Sequence, residues 1–309
     1  MPELTVSIVT YNSAETILGC LKSVYASSLA VELEVLLFDN ASTDATVQKI
    51  RENFPQVQLY QSETNLGFGR ANNFLLEKSS GKYILFLNPD TVLPIDTLQK
   101  LLELVRSRFQ AGAVGPRLAF ADGAYQISTS AYPSLRNELI SKFYHRALDR
   151  NIKSVRKHLE NQYPRTSAVT WVGGACLLCS RDKLIKVGGF DPGFFLYFED
   201  IDLCKRLCEQ GWKNFYVPEA VAIHLGGASV SSIPWIKELE FRKSELYYYS
   251  KHLSVFSYYM LKLYLWVKFG LRWLGWKFRT RLNLTLSSRE ESSFYSELFR
   301  LIAQSKYHT

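Results

Sequence analysis

Leu4-Thr-Val-Ser-Ile-Val-Thr-Tyr-Asn-Ser-Ala-Glu15 is an apolar, β-branched run that breaks into polar residues, then into Ile17, Leu18, Leu21 and Val24 at helical spacing. Such a change of period is how a strand feeding a helix is written. Asn12, with Glu15 three residues on, reads as the helix cap. The unit recurs. Glu34–Asp39 ends in Asp-Asn-Ala-Ser-Thr-Asp44 before Val47, Ile50 and Phe54. Val57–Gln61 leads to Asn65-Leu-Gly-Phe-Gly69 and a helix from about Arg70, and Tyr83–Leu87 ends at Asn88-Pro-Asp90 before Leu98, Leu101, Leu102 and Val105. Four strand-then-helix units in succession predict an α/β fold with a mostly parallel central sheet flanked by helices. In such sheets ligands sit at the carboxyl ends of the strands, where these runs deliver Asp, Asn or Gly.

Past Ala113 the alternation loosens. Ala113–Leu118 and Gly174–Ser180 read as strands, and in the connection between them Arg136–Arg165 carries eight Lys/Arg against three Asp/Glu. That stretch is either a contact for phosphate groups or a solvated helical face. A helix to about Gln210, stopped by Gly211, precedes strand-like Asn214–Val217 and Ala220–His224. The expected organisation is residues 1–117 and 118–232 as halves of one domain, then a basic helical tail over 233–309.

In that tail Leu253, Phe256, Met260, Tyr264, Val267, Leu271, Leu274 and Phe278 form one apolar stripe at spacings of three and four, with Lys262, Lys268, Arg272, Lys277 and Arg279 off it. The longest uncharged run, Leu253 to Leu261, is too short to span a bilayer, which takes about 20 residues. With Trp266, Trp273 and Trp276 among the cations, the tail fits a helix lying on an anionic membrane surface. The alternative is a helix packed on the body or on a second copy in a homodimer.

Composition narrows the class. The 309 residues are 47% hydrophobic and 21% charged, enough for a large core, which excludes general disorder. The net charge is +8, but Lys251–Arg281 holds seven Lys/Arg and no Asp/Glu, leaving only +1 for the rest. A nucleic-acid-binding body is therefore not expected. Five cysteines, and Glu3 where a signal peptide wants positive charge, point to the reducing cytoplasm.

Several residue groups can carry chemistry. Asp39, at a strand end without a packing role, can accept from the imide of a pyrimidine base or cap the next helix. The turn from Asn65 to Asn73 offers Gly67, Gly69 and Arg70 to a phosphate, but Asn72 stands where a dinucleotide fingerprint needs glycine. Asp90, with Asn88 as the weaker oxygen ligand, can face a hard cation that bridges diphosphate oxygens. Glu199, Asp200 and Asp202 open a helix behind a run of aromatic residues, where apolar surroundings raise a carboxylate's pKa toward that of a general base. His224 gains meaning as a ligand only if it converges with Asp90. Cys176 and Cys179, three apart on a strand, point to opposite faces and cannot readily grip one zinc ion.

Val6-Ser-Ile-Val-Thr-Tyr-Asn12, Asp39-Asn-Ala-Ser-Thr-Asp44, Asn65-Leu-Gly-Phe-Gly-Arg-Ala-Asn72, Asn88-Pro-Asp90, Gly173-Gly-Ala175 and Phe195-Leu-Tyr-Phe-Glu-Asp-Ile-Asp-Leu203 occur in that order. Together, from Leu4 to Gly227, the chain resembles the family 2 inverting glycosyltransferases of the glycosyltransferase-A fold, and among them the bacterial rhamnosyltransferase-like branch. The resemblance implies that Thr10, Tyr11, Asn12, Asp39, Asn65, Gly67, Arg70, Asn88 and Asp90 hold a nucleotide sugar. It makes Asp200 the catalytic base and puts Trp171, Gly173, Gly174 and Glu199 on the acceptor side. Asp90 takes the place of the metal-binding acid of the family's Asp-x-Asp motif, whose first Asp is Asn88 here, and His224 falls where some relatives place a further ligand to Mg²⁺ or Mn²⁺. The implied reaction moves a sugar, best from dTDP-rhamnose and otherwise from a UDP-sugar, to a hydroxyl of a polysaccharide or lipid-linked glycan. The implied location is the inner face of the cell membrane. A catalytically decayed sugar-nucleotide-binding module and a nucleotidyltransferase on a similar sheet are the rival readings.

Overall fold

The computed structural model describes residues 2–27, 31–150, 152–226, 234–281 and 289–307. In chain order the elements begin β1 (Leu4–Thr10), α1 (Ile17–Tyr25), β2 (Leu33–Asp39), α2 (Thr46–Asn53), β3 (Gln58–Gln61), α3 (Phe68–Lys78) and β4 (Tyr83–Leu87). Next come β5 (Thr91–Val92), α4 (Thr97–Ser107), β6 (Ala111–Ala119), β7 (Tyr125–Gln126), α5 (Leu135–Asp149), α6 (Lys153–Glu160) and β8 (Ser167–Val169). The chain ends with β9 (Cys176–Ser180), α7 (Arg181–Lys186), α8 (Glu199–Glu209), β10 (Lys213–His224), α9 (Pro234–His252), α10 (Val255–Arg281) and α11 (Arg289–Gln304).

The strands form one sheet in the order β3-β2-β1-β4-β9-β6-β10-β5, with β7 beside β6 and β8 beside β10. The first four strands are all parallel, as the repeated strand-then-helix units require. Beyond β4 the sheet is mixed: β9 enters antiparallel between β4 and β6, β10 runs parallel to β6, and β5 closes the edge antiparallel to β10. The expectation of a mostly parallel sheet holds for the amino-terminal half.

Both faces of the sheet are covered, which is why the strands read as continuous apolar runs. On β4, Leu85 and Leu87 join the core under α1 and α4, while Ile84 and Phe86 join the core under α8. Cys176 and Cys179 divide between the same two cores.

Some element ends differ from the expectation. Asn12 does not cap α1; that helix starts at Ile17 after Thr16, and Asn12 takes a left-handed φ of 48°. The helix expected from Arg70 begins at Phe68, because Gly67 ends the preceding turn at φ 84°. Asn214–Val217 and Ala220–His224 are one strand, β10, whose register slips between Val217 and Val221, around Pro218. The strand expected from Gly174 starts at Cys176, leaving Gly173–Ala175 as a turn.

By contacts the chain forms two compact units, one of Met1–Tyr132, Leu139–Phe195 and Glu199–Val230, the other of Pro133–Glu138, Leu196–Phe198 and Ser231–Thr309. The first holds the sheet. In the second, α9, α10 and α11 pack on one another. Buried on them are Leu246 and Tyr249 of α9, Leu261, Leu265 and Phe269 of α10, and Leu298 and Ile302 of α11. Arg242, 4% exposed, is matched by Glu238, Glu245 and Glu138. The apolar stripe foreseen for the tail is real but is not the packed face. Phe256, Leu271 and Phe278 are 74%, 66% and 65% exposed, and α10 packs through a second apolar row on its opposite side. None of the described helices is long and apolar enough to cross a membrane.

Candidate active site

The site residues lie along the carboxyl edge of the strands. Thr10 and Asp39 are register partners at the ends of β1 and β2. Thr10 Oγ1 donates to Asp39 Oδ1 at 2.9 Å, Ser42 Oγ donates to the same oxygen at 2.6 Å, and the Ser42 N–H donates to Oδ2 at 3.0 Å. Asp39 is 1% exposed. The view of Asp39 as a carboxylate without a packing role is therefore corrected: it knots the β2–α2 turn, and its spare acceptor capacity lies on Oδ2. Asn12 Oδ1 accepts from the Thr43 N–H at 2.8 Å, so the Tyr11–Asn12 turn is fastened to the same loop.

The glycine turn also packs against a distant segment of the chain. Asn40 Nδ2 donates to the Gly67 carbonyl, Asn65 Oδ1 accepts from the Gly67 N–H at 2.9 Å, and the Phe68 N–H donates to the Phe195 carbonyl at 3.0 Å. A Cβ on Gly67 would lie 2.5 Å from the Phe195 carbonyl oxygen, and one on Gly69 3.1 Å from Phe190 Cβ. These glycines admit the Phe190–Phe195 segment. Arg70 is exposed and spends its Nε on the Pro192 carbonyl, which ties it to the same segment.

Asp90 and His224 do converge, through sheet pairing. His224, the last residue of β10, is the antiparallel partner of Thr91 on β5. That register places His224 Nε2 3.3 Å from Asp90 Oδ1 and 3.4 Å from Asn88 Nδ2. On the other side of the ring, Nδ1 lies 3.0 Å from Gln126 Oε1, an acceptor that fixes the hydrogen on Nδ1. Nε2 is thereby turned toward the Asp90 carboxylate at the end of two paired strands. Among the described residues no three His, Cys, Asp or Glu side chains gather for a metal. One carboxylate and one imidazole nonetheless suit Mg²⁺ or Mn²⁺, which complete their shells with water and substrate phosphates.

Asp200 sits in the first turn of α8, half-buried. The Gly174 N–H donates to Oδ2 and the Ile201 N–H to Oδ1, each at 2.8 Å. Gly174 must be small, since an added Cβ would stand 3.3 Å from Asp200 Cβ. Burial raises the Asp200 pKa above its ordinary value, against the lowering effect of the two N–H donors. Glu199 is buried, with Oε2 unpartnered; burial first and the Asp200 charge second push its pKa upward. Asp202 has a different fate: it is fully buried and paired with Arg206 at 2.7 Å.

One short turn links the two acidic centres. Gly174 holds Asp200, while the carbonyl of the next residue, Ala175, accepts from the Asn88 N–H at 3.0 Å, beside Asp90. Gly173 donates to the Ser128 carbonyl at 2.8 Å, and Trp171 Nε1 reaches the Ala131 carbonyl at 3.4 Å. The described non-glycine residues with positive φ are Asn12, Ala41, Tyr197 and Phe198, all on the loops that carry these side chains. Such strain concentrates where geometry is held for a purpose. Gln126 was not foreseen and no motif marks it; Ala175 lies in the Gly173-Gly-Ala175 motif, but nothing in the sequence pointed to the role of its carbonyl.

A sheet of this topology with acids ranged along its carboxyl edge defines the glycosyltransferase-A fold. The family model for glycosyl transferase family 2 matches residues 5–202. The chain is 35% identical to the N-acetylglucosaminyl-diphospho-decaprenol L-rhamnosyltransferase of Mycobacterium tuberculosis over 240 residues, 72% of this chain and 75% of that one. It is 34% identical to rhamnosyltransferase WbbL of Escherichia coli over 168 residues, 51% of this chain and 60% of the relative. The mannosyltransferase PcManGT of Pyrobaculum calidifontis, solved with GDP-Man and Mn²⁺, superposes with a TM-score of 0.52 at 17% identity over 98% of this chain and 86% of that one. The chain belongs to glycosyl transferase family 2.

Proposed function

We propose that this glycosyltransferase moves a sugar with inversion from a nucleotide donor, dTDP-rhamnose in the first instance and a UDP-sugar otherwise, to a hydroxyl of a polysaccharide or lipid-linked glycan. The supporting observation is the Gly174–Ala175 turn, which ties the Asp200 carboxylate and the Asn88–Asp90 turn to adjacent residues. Names of relatives support the donor and acceptor: two are rhamnosyltransferases, one acting on an N-acetylglucosaminyl-diphospho-decaprenol.

In this reading Asp200 takes the proton of the acceptor hydroxyl as its oxygen forms a bond to the anomeric carbon. The bond from that carbon to the diphosphate breaks, and the nucleoside diphosphate leaves with the electron pair. Attack opposite the leaving group inverts the centre, and no covalent sugar–enzyme intermediate is needed. The Gly174 and Ile201 N–H groups fix the carboxylate, and burial keeps its pKa high enough to accept a proton. Asp90 and His224 would hold Mg²⁺ or Mn²⁺, which offsets the charge of the departing diphosphate. Thr10, Tyr11, Asn12, Asp39, Asn65, Gly67 and Arg70 would border the nucleotide, and Trp171, Gly173 and Glu199 the acceptor.

The test is a thermal-shift panel of nucleotide sugars with and without Mn²⁺, followed by product analysis of any ligand that stabilises the chain. A Mn²⁺-dependent rise with dTDP-rhamnose, and slow hydrolysis of that donor, are expected. Consumption of a nucleoside triphosphate with release of pyrophosphate would overturn the reading.

A further inference from the structure

Helix α10 carries two apolar faces. Tyr258, Leu265 and Phe269 are fully buried, while the residues nine positions after each, Val267, Leu274 and Phe278, are exposed. Nine positions are about half a revolution of an α-helix, so the buried and exposed rows lie on opposite sides. Phe256, Leu263 and Leu271 extend the exposed row, which runs from Phe256 to Phe278, a length of about 33 Å. An exposed apolar strip of that length on a helix already packed on its other side marks an interaction surface.

Charge decides the occupant. α10 has no Asp or Glu. Lys262 and Lys268, six and twelve positions after Phe256, stand about 120° to either side of it, and Lys277 about 60° away. Lys262 donates to the carbonyls of Ala303 and Ser305, away from the strip, so Lys268 and Lys277 are the cations on its two sides. Cations flanking an apolar face are the pattern of a helix lying in a bilayer surface, with rings and aliphatic chains among the acyl chains and ammonium groups at the phosphates. A second copy docked through the same face would bring two acid-free cationic helices together, which is unfavourable.

We propose that the exposed face of α10 is the surface by which this protein attaches to an anionic phospholipid bilayer, with Phe256, Leu263, Val267, Leu271, Leu274 and Phe278 entering the headgroup boundary. This goes beyond the transfer reaction and does not depend on it.

The experiment uses the full chain and its Val267→Glu/Leu274→Glu variant, both substitutions lying on solvent-facing positions. Each is floated with vesicles of phosphatidylcholine containing phosphatidylglycerol, or of phosphatidylcholine alone. The parent chain should partition into the anionic vesicles at least tenfold more than the variant, and less in high salt, while circular dichroism and sugar-nucleotide binding stay the same. Three results would overturn the proposal: no binding of the parent chain to anionic vesicles, equal binding by the variant, or a parent dimer in sedimentation equilibrium that the variant dissociates.

Discussion

His224 Nε2 stands 3.3 Å from Asp90 Oδ1, and the Gln126 amide oxygen holds the other ring nitrogen at 3.0 Å. Gln126 thereby orients the ring so that Nε2 faces Asp90, the usual role of a residue behind a metal-binding imidazole. Gln126→Leu is expected to weaken Mn²⁺ binding by about 10- to 100-fold in calorimetry while the melting temperature barely moves. Unchanged affinity would remove Gln126 from this role.

Asp200→Asn should leave Mn²⁺-dependent donor binding intact and lower kcat by roughly 10²–10⁴-fold, the span of a lost general base. In the parent enzyme the acid limb of kcat/KM should lie above the ordinary aspartate value of 3.8, because burial raises the Asp200 pKa. A limb at or below that value would contradict the buried base.

For Glu199 the sign runs the other way from a salt-bridged carboxylate. Its pKa is raised in the folded chain, first by burial, so the native state binds the proton more tightly than the unfolded chain does. Stability should therefore fall as pH rises above the ordinary glutamate value of 4.5, and Glu199→Gln should flatten the trend. Urea unfolding of both proteins at about pH 5 and about pH 8 measures this.

Gly67 combines a φ of 84° with a Cβ position 2.5 Å from the Phe195 carbonyl oxygen. Gly67→Ala should cost about 2–4 kcal/mol, the sum of left-handed strain and overpacking, read as a lower urea midpoint. A loss under about 0.5 kcal/mol would mean that the Phe190–Phe195 segment yields easily.

Much of this was legible in the chain itself, for reasons that also set the limit. Runs such as Leu4–Thr10 and Tyr83–Leu87 are buried on both faces, so their apolar signal is continuous and their ends are marked by Asn12 and Asp90. The ordered motifs then pointed to Asp200 and His224. What escaped was long-range or two-sided. The pairing of β5 with β10 that brings His224 beside Asp90 spans two residues of β5 and leaves no local pattern. Gln126 sits on a two-residue strand with no motif around it. On α10, Leu261–Leu265–Phe269 and Val267–Leu271–Leu274–Phe278 both recur at helical spacings of three or four, so sequence alone could not say which row faces protein. Gly67 announced a close approach; only the fold shows that its neighbour is Phe195.

The central claim is that Asp90 and His224 hold one divalent cation on the donor's diphosphate. Electron–nuclear double resonance of Mn²⁺ bound to the chain with a nucleotide sugar measures it directly. The expected spectrum shows coupling to phosphorus and to one imidazole nitrogen, with the nitrogen coupling gone in His224→Ala. Phosphorus coupling with no histidine nitrogen in the parent chain would contradict the claim.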